Sequence, residues 1–185
     1  MNFIKTKLED AFIIEPNIFK DDRGYFFESY NKRQLNEYLG YDLKFCQDNE
    51  SFGTYGTLRG LHFQDMPYTQ TKLVRVIKGK VLDVIVDLRS NSKTYMEHTS
   101  VELSDTNKRQ LFVPQGFAHG FIVLSSEAIF AYKVDNYYSS DHDNGIFALD
   151  SELNIDWKIK QTAITMSKKD INHPLLKDAK FKFYR

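Results

Sequence analysis

The sequence predicts an all-β sandwich or barrel with a few short peripheral helices, and three observations lead to it. Short runs rich in β-branched and aromatic residues recur at "DAFIIEPNIF", "YFFESY", "MEHTSVEL", "KRQLFVP", "GFIVL" and "AIFAYKV", separated by Gly, Pro, Asn, Asp or Ser. In "VLDVIVDLR" the period is two, with Leu82, Val84, Val86 and Leu88 on one face and Asp83, Ile85 and Asp87 on the other. Only one stretch, "NKRQLNEYLG", carries a helical signature.

The elements follow in chain order. Asn31 is suited to an N-cap, Leu35, Tyr38 and Leu39 fall at helical spacing, and Gly40 stops the helix. "TLRGLHFQ" then leans toward strand. "KLVRVIKGK" ends in Lys78-Gly79-Lys80, a turn signal before "VLDVIVDLR", so these two runs read as a hairpin. Near the end, "SKKDINHPLL" reads as a short peripheral turn or helix. No repeat, low-complexity tract or linker divides the chain, and 185 residues suit one compact domain over residues 1–185. Many short strands at this spacing make a sandwich or a barrel, and a barrel can hold one small ligand in its mouth.

Composition narrows the function. The 25 basic and 25 acidic side chains balance, which leaves no general field to attract nucleic acid, so any anion must be gripped locally. No apolar stretch approaches the roughly 18 residues a membrane span needs. The lone Cys46 has no intramolecular disulfide partner, and "MNFIKTKLED" lacks the uninterrupted apolar run of a secretory leader, so a cytoplasmic location is expected. The 15 Phe and 11 Tyr fit a β-rich core before they suggest stacking on a ligand.

Polar residues where a strand points inward carry more information, because burying them unpaired costs a few kcal/mol. In "GLHFQ", Leu61 and Phe63 share one face and Gly60, His62 and Gln64 the other. With the first face packed between sheets, His62 and Gln64 point into the barrel and Arg59 stands at its rim. His119 enters an apolar strand in "VPQGFAHGF", whereas His98, His142 and His173 stand in polar contexts and read as surface residues. Alternation places Lys72 with Val74 and Val76, and Tyr132 with Phe130 and Val134. Taken alone, a lone strand histidine reads first as a structural residue, and Lys72 and Tyr132 read first as packing with a snorkelling polar tip.

The motifs "FKDDRGYFFESY", "QDNESFGTYGTLRGLHFQ", "KLVRVIKGKVLDVIVDLR", "NKRQLFVPQGFAHGF", "YKVDNYY" and "SKKD", in this order, resemble those of the dTDP-4-dehydrorhamnose 3,5-epimerase family, cupin-like enzymes of deoxysugar-nucleotide biosynthesis. The resemblance implies a cupin-type jelly roll and a reaction on dTDP-4-dehydro-6-deoxy-D-glucose that inverts C3 and C5 without metal or other cofactor. It also assigns roles. His62 of "RGLH" matches the general base, Asp170 its carboxylate partner, Tyr132 the proton donor, and Lys72 the lysine of "KLVR". Arg23 and Arg59 match phosphate-binding arginines, and Glu28 matches a substrate contact. Gln47 and Asn49 match residues facing the nucleotide, and Tyr138 the ring that stacks on thymine. Asp143, Lys169 and His119 match further substrate contacts. The resemblance further implies a homodimer with composite sites, the segment of about residues 1–30 being exchanged between subunits.

The chain also departs from the family. Ala148 and Leu149 stand where a tryptophan and an asparagine are usual, and Lys158 follows Trp157 in place of a proline. These changes are expected near the outer nucleotide pocket or the sheet edge, and they bear on the exact sugar and base. In metal-binding cupins the first motif supplies two histidines one residue apart; here Gln64 takes the second place and is a poor ligand. The alternatives are inversion at C3 only, a 3,4-ketoisomerase on a related barrel, a silent nucleotide-sugar binder and a metal-dependent oxidase. A silent binder should lack at least one of His62, Lys72, Tyr132 and Asp170, and all four are present.

Overall fold

The computed structural model describes residues 1–184. Four short strands, β1 (Asn2–Lys5), β2 (Phe12–Glu15), β3 (Phe19–Asp21) and β4 (Gly24–Phe26), precede helix α1 (Lys32–Leu39). The body is built from β5 (Gln47–Thr54), β6 (Leu58–Gln64), β7 (Lys72–Lys78), β8 (Lys80–Asp87), β9 (His98–Ser104), β10 (Gln110–Val113), β11 (Phe117–Val123) and β12 (Glu127–Val134). A short strand β13 (Asp143–Gly145) and a one-turn helix α2 (Lys168–Ile171) follow.

Consecutive strands of the body alternate between two sheets, except β8 and β9, which pair with each other. One sheet runs β1-β2-β10-β7-β12-β5 and the other β13-β6-β11-β8-β9. The strand orders β5-β12-β7-β10 and β6-β11-β8-β9 are those of a jelly roll, two interleaved Greek keys. Among the described residues no ladder joins the two sheets, so the body is a sandwich rather than a closed barrel. This topology corrects the hairpin expected at Gly79, because β7 and β8 lie in different sheets. Gly79 makes a corner, with its N–H donating to Asp105 Oδ2 at 2.7 Å, and each strand finds its ladder elsewhere.

The alternation in "VLDVIVDLR" explains why both faces of β8 are buried. Val81 and Ile85 join Val74, Val76, Phe121 and Phe130 between the sheets. Leu82, Val84, Val86 and Leu88 face outward beneath a cover that includes Trp157 and Phe183. Leu61 and Phe63 belong to that outer cluster and not to the space between the sheets. Helix α1 forms as its caps require: Asn31 accepts from the Gln34 N–H at 3.2 Å, and Gly40 ends the helix at φ 78°. It buries Leu35 against Phe12, Ile14, Leu73 and Phe112 on the outside of the six-stranded sheet. At the end where β13 edges the five-stranded sheet, β6, β13 and the segment leading into α2 converge around a cavity.

Candidate active site

Strict alternation would set Arg59 and His62, three residues apart, on opposite faces of β6. A bulge prevents this. His119 of β11 pairs with His62 and Phe121 with Arg59, so one residue, Gly120, opposes the two residues Gly60 and Leu61. The backbones meet too closely for side chains: a Cβ on Gly60 would lie 2.7 Å from Gly120 Cα, and Gly60 has φ +113°. The bulge resets the face, and the strand turns both its cation and its imidazole to the interior side.

His62 is held from the far end of the chain. Its Nε2 lies 2.7 Å from Asp170 Oδ1. The Gly60 N–H donates to Asp170 Oδ2 at 3.3 Å, so the bulge also supports the carboxylate. Ser167 caps α2 by accepting from the Asp170 N–H at 3.1 Å, which fixes where the aspartate points. Asp170 is 3% exposed. Burial pushes its carboxyl up, but the hydrogen bond and charge of His62, with the Gly60 and Ser167 contacts, hold it below the ordinary value. The segment expected to be peripheral therefore reaches the interior.

A second imidazole–carboxylate pair lies beside the first. His119 Nε2 is 3.0 Å from both oxygens of Asp83, and both residues are buried. Burial raises the Asp83 carboxyl, against the pull of His119 and Lys72. Asp83 is the partner that motif reading missed; the available signal was a carboxylate at an inward position of a strand buried on both faces.

The opposite sheet supplies the remaining groups. Lys72 of β7 and Tyr132 of β12 lie on the inward faces that carry Val74, Val76 and Phe130. Burial lowers the Lys72 ammonium to about 8, although Asp143 and Asp83 pull it up. Burial raises the Tyr132 phenol, Asp143 adds to this, and Arg59 opposes it. Asp143 is thus near enough to be felt by both. Asn49 pairs with Tyr132 and Gln47 with Val134 across the β5–β12 ladder, which sets Gln47 and Asn49 on the Tyr132 side. The two are joined at 2.8 Å.

At the β13 end, a cavity of about 440 Å³ is walled by residues that include Arg59, His62, Asp143, Lys169 and Asp170. Lys169 Nζ is 2.5 Å from Asp143 Oδ2, to which the exposed Tyr138 also donates at 3.0 Å. Arg59 is anchored by one bond to Phe52 O at 3.0 Å, which leaves most of its fork available. Lys72, Tyr132 and His119 are not among its walls, and neither are Arg23 and Glu28. Arg23, its side chain 90% exposed, bonds Asp21 two residues away, while Glu28 accepts from Asn31 at 3.3 Å.

Two sequence expectations change here. His173 is not a surface residue: its ring nitrogens are buried, and its ring stands edge-on to His62 with centroids 5.4 Å apart. Ala148 and Leu149 lie in or against the outer cluster, Ala148 accepting from the Trp157 indole N–H at 3.0 Å, and the exposed Lys158 bonds Asp156, so the departures at 148, 149 and 158 fall outside the cavity. Gln64 fills no ligand position, since its amide donates to Tyr68 O and Tyr137 O and accepts from the Ser139 N–H.

Comparison with known proteins agrees with this geometry. The family model described as dTDP-4-dehydrorhamnose 3,5-epimerase matches residues 5–178. A dTDP-4-dehydrorhamnose 3,5-epimerase of Shigella flexneri is 48% identical, over 98% of this chain and 99% of the relative. The crystal structure of the enzyme of that name from Elizabethkingia anophelis NUHP1 superposes with a TM-score of 0.93 at 49% identity, covering 96% of this chain and 97% of that one. A dTDP-6-deoxy-D-glucose-3,5-epimerase from Legionella pneumophila, solved in complex with dTDP-4-keto-L-rhamnose, gives a TM-score of 0.95 at 43% identity, with coverage of 100% and 98%.

Proposed function

The chain belongs to the dTDP-4-dehydrorhamnose 3,5-epimerase family, and from that premise we propose that it converts dTDP-4-dehydro-6-deoxy-D-glucose to dTDP-4-dehydro-L-rhamnose by inverting C3 and C5. It is an isomerase of sugar nucleotides. The ligand carried by the Legionella relative is a dTDP-linked 4-keto sugar of this kind.

The observation that carries the mechanism is the 2.7 Å pair of His62 and Asp170 on one sheet, with Tyr132 and Lys72 on the inward face of the other. The 4-keto group acidifies the hydrogens at C3 and C5. His62, through the ring nitrogen that Asp170 does not engage, takes one of them, and Asp170 stabilises the imidazolium that results. The electron pair moves to O4 as an enolate. Lys72 meets that charge, a preorganised donor of this type being worth about 3 to 4 kcal/mol of barrier. Tyr132, kept protonated by its burial, delivers a proton to the other face of the carbon and inverts it. One acid and base on a single face would only restore the starting sugar.

The β13 end supports the nucleotide's place. Arg59 and Lys169 offer cations for the diphosphate. Gln47, Asn49 and Tyr138 face the nucleoside, and Asp143 and His119 contact the sugar. Arg23 and Glu28 serve a partner's site in a cytoplasmic homodimer: they stand apart from their own cavity, on a segment whose Phe19, Tyr25 and Phe26 are more than half exposed. Incubating the purified protein with the ketosugar in deuterated water tests the reaction. Solvent deuterium at both carbons is expected; its absence would reject this function, and deuterium at C3 alone would point to a single inversion.

A further inference from the structure

Three ligand atoms, one each from His62, Asp170 and His173, lie within 4.8 Å of one another. His173 follows Asp170 by three residues, just past α2, so one short segment brings a carboxylate and an imidazole to the histidine of β6. The site is fitted to that ring. A Cβ at Gly145 would come within 2.4 Å of His173 Cε1, so only glycine in β13 allows the imidazole to lie there.

Both ring nitrogens of His173 are buried, and neither has a hydrogen-bond partner among the described residues. A neutral imidazole offers one N–H and one lone pair, and leaving them unpaired out of water costs a few kcal/mol. The ring packs on the proposed base without bonding to it. Its free lone pair lies beside a carboxylate and a second imidazole.

We propose that His62, Asp170 and His173 form a site for a divalent transition-metal cation of the zinc class, and that the bound cation inhibits the enzyme. Two imidazoles and one carboxylate are a usual donor set for such ions and a poor one for magnesium or calcium. Bond lengths of about 2.0 to 2.2 Å put tetrahedral ligands roughly 3.3 to 3.5 Å apart. That spacing falls between the 2.7 Å of the existing pair and the 4.8 Å limit of the group, so small ring rotations suffice. The cation replaces the proton between His62 and Asp170. Bonds form to His62 Nε2, an Asp170 oxygen and one His173 nitrogen, water takes the fourth place, and the displaced proton leaves to solvent.

Inhibition follows from the charge. With its Nε2 on a cation, His62 is a weaker base at its other nitrogen, and Asp170 no longer supports an imidazolium. The inhibitory part rests on the function proposed above, whereas the binding part rests on the cluster alone.

The test uses full-length, untagged protein stripped with a chelator. Zinc chloride is titrated by calorimetry, and cobalt chloride by visible absorption, into wild type, His173→Ala and His173→Gln. Wild type should bind one cation per chain with proton release, lose epimerase activity as zinc fills the site, and recover it on adding chelator. Both variants should bind zinc at least about tenfold more weakly, and whatever metal-free activity each retains should be less sensitive to zinc than that of wild type. Magnesium chloride should do nothing. Equal zinc affinity in wild type and both variants, or no binding to wild type at about millimolar zinc, would overturn the site. Binding that depends on His173 but leaves activity unchanged would overturn the inhibitory role. Inactivity of the metal-free wild type would count against the proposed function, while the calorimetry still decides the site.

Discussion

His62 and Asp170 meet at 2.7 Å although 108 residues separate them in the chain. One comes from a bulged strand and the other from a single turn of helix near the C-terminus, and the Gly60 amide of the bulge binds the same carboxylate. A general base and its orienting acid are therefore set by the backbone of two distant elements.

Replacing His62 by Ala should lower deuterium exchange at both carbons by about 10²- to 10⁴-fold, the usual contribution of a positioned base. Thermal melting should also fall, because the change leaves the buried Asp170 carboxylate without its imidazole partner, so exchange is compared at a temperature where both proteins are folded. Retention of exchange would remove His62 from the mechanism.

Tyr132→Phe should separate two events that occur together in wild type. Proton abstraction remains, so exchange persists, while inversion falls because the opposite face lacks a donor. Product stereochemistry and deuterium content, followed together by proton spectra, read both, and equal loss of the two would contradict the role.

Lys72 sets the alkaline limit. Its ammonium, lowered to about 8 by burial, carries the charge that meets the enolate, so turnover should fall as pH rises through about 8. The stability effect has the opposite sense. Unfolded chain holds this proton up to the ordinary lysine value and folded protein only to about 8, so the lysine's cost to the fold shrinks with rising pH between those values. Lys72→Met should raise the melting temperature at neutral pH by about 2 °C or more while lowering turnover roughly 10²-fold. A flat pH profile from 7 to 9.5 with unchanged melting would argue against a buried, functional ammonium.

Gly60→Ala should be destabilising by about 2 to 3 kcal/mol, since the new methyl meets Gly120 backbone and the φ of +113° suits no other residue. Chemical denaturation reads this. The same change should depress activity more than stability alone accounts for, because the bulge aims both Arg59 and His62. A neutral Gly60→Ala would show that the register can be kept another way.

If sites are shared between subunits, His62→Ala and Arg23→Ala chains, each weak alone, should complement when mixed and refolded. Random pairing makes half of the dimers mixed, each with one intact site, which gives about a quarter of wild-type activity. Mixtures no more active than their parents would place Arg23 outside the site.

Strand content, the α1 caps and the inward placement of Lys72 and Tyr132 were legible because they follow from period two and from cap chemistry, which are local. The β7–β8 hairpin was misread because a turn signal reports a change of direction and not which sheet the next strand joins. The bulge at Gly60 was invisible to alternation, since it breaks the rule on which alternation rests. His173 looked exposed because its neighbours in sequence are polar, while its environment is made by β6 and β13. Asp170 could be singled out only through family resemblance, as a lone aspartate after a serine reads first as part of a helix cap.

The most direct test of opposed acid and base is a crystal structure with a dTDP-linked 6-deoxyhexose bound. His62 and Tyr132 should lie within about 4 Å of C3 or C5 from opposite faces of the ring, with Lys72 near O4. A sugar that meets both groups on one face, or that binds out of reach of either, would contradict the mechanism.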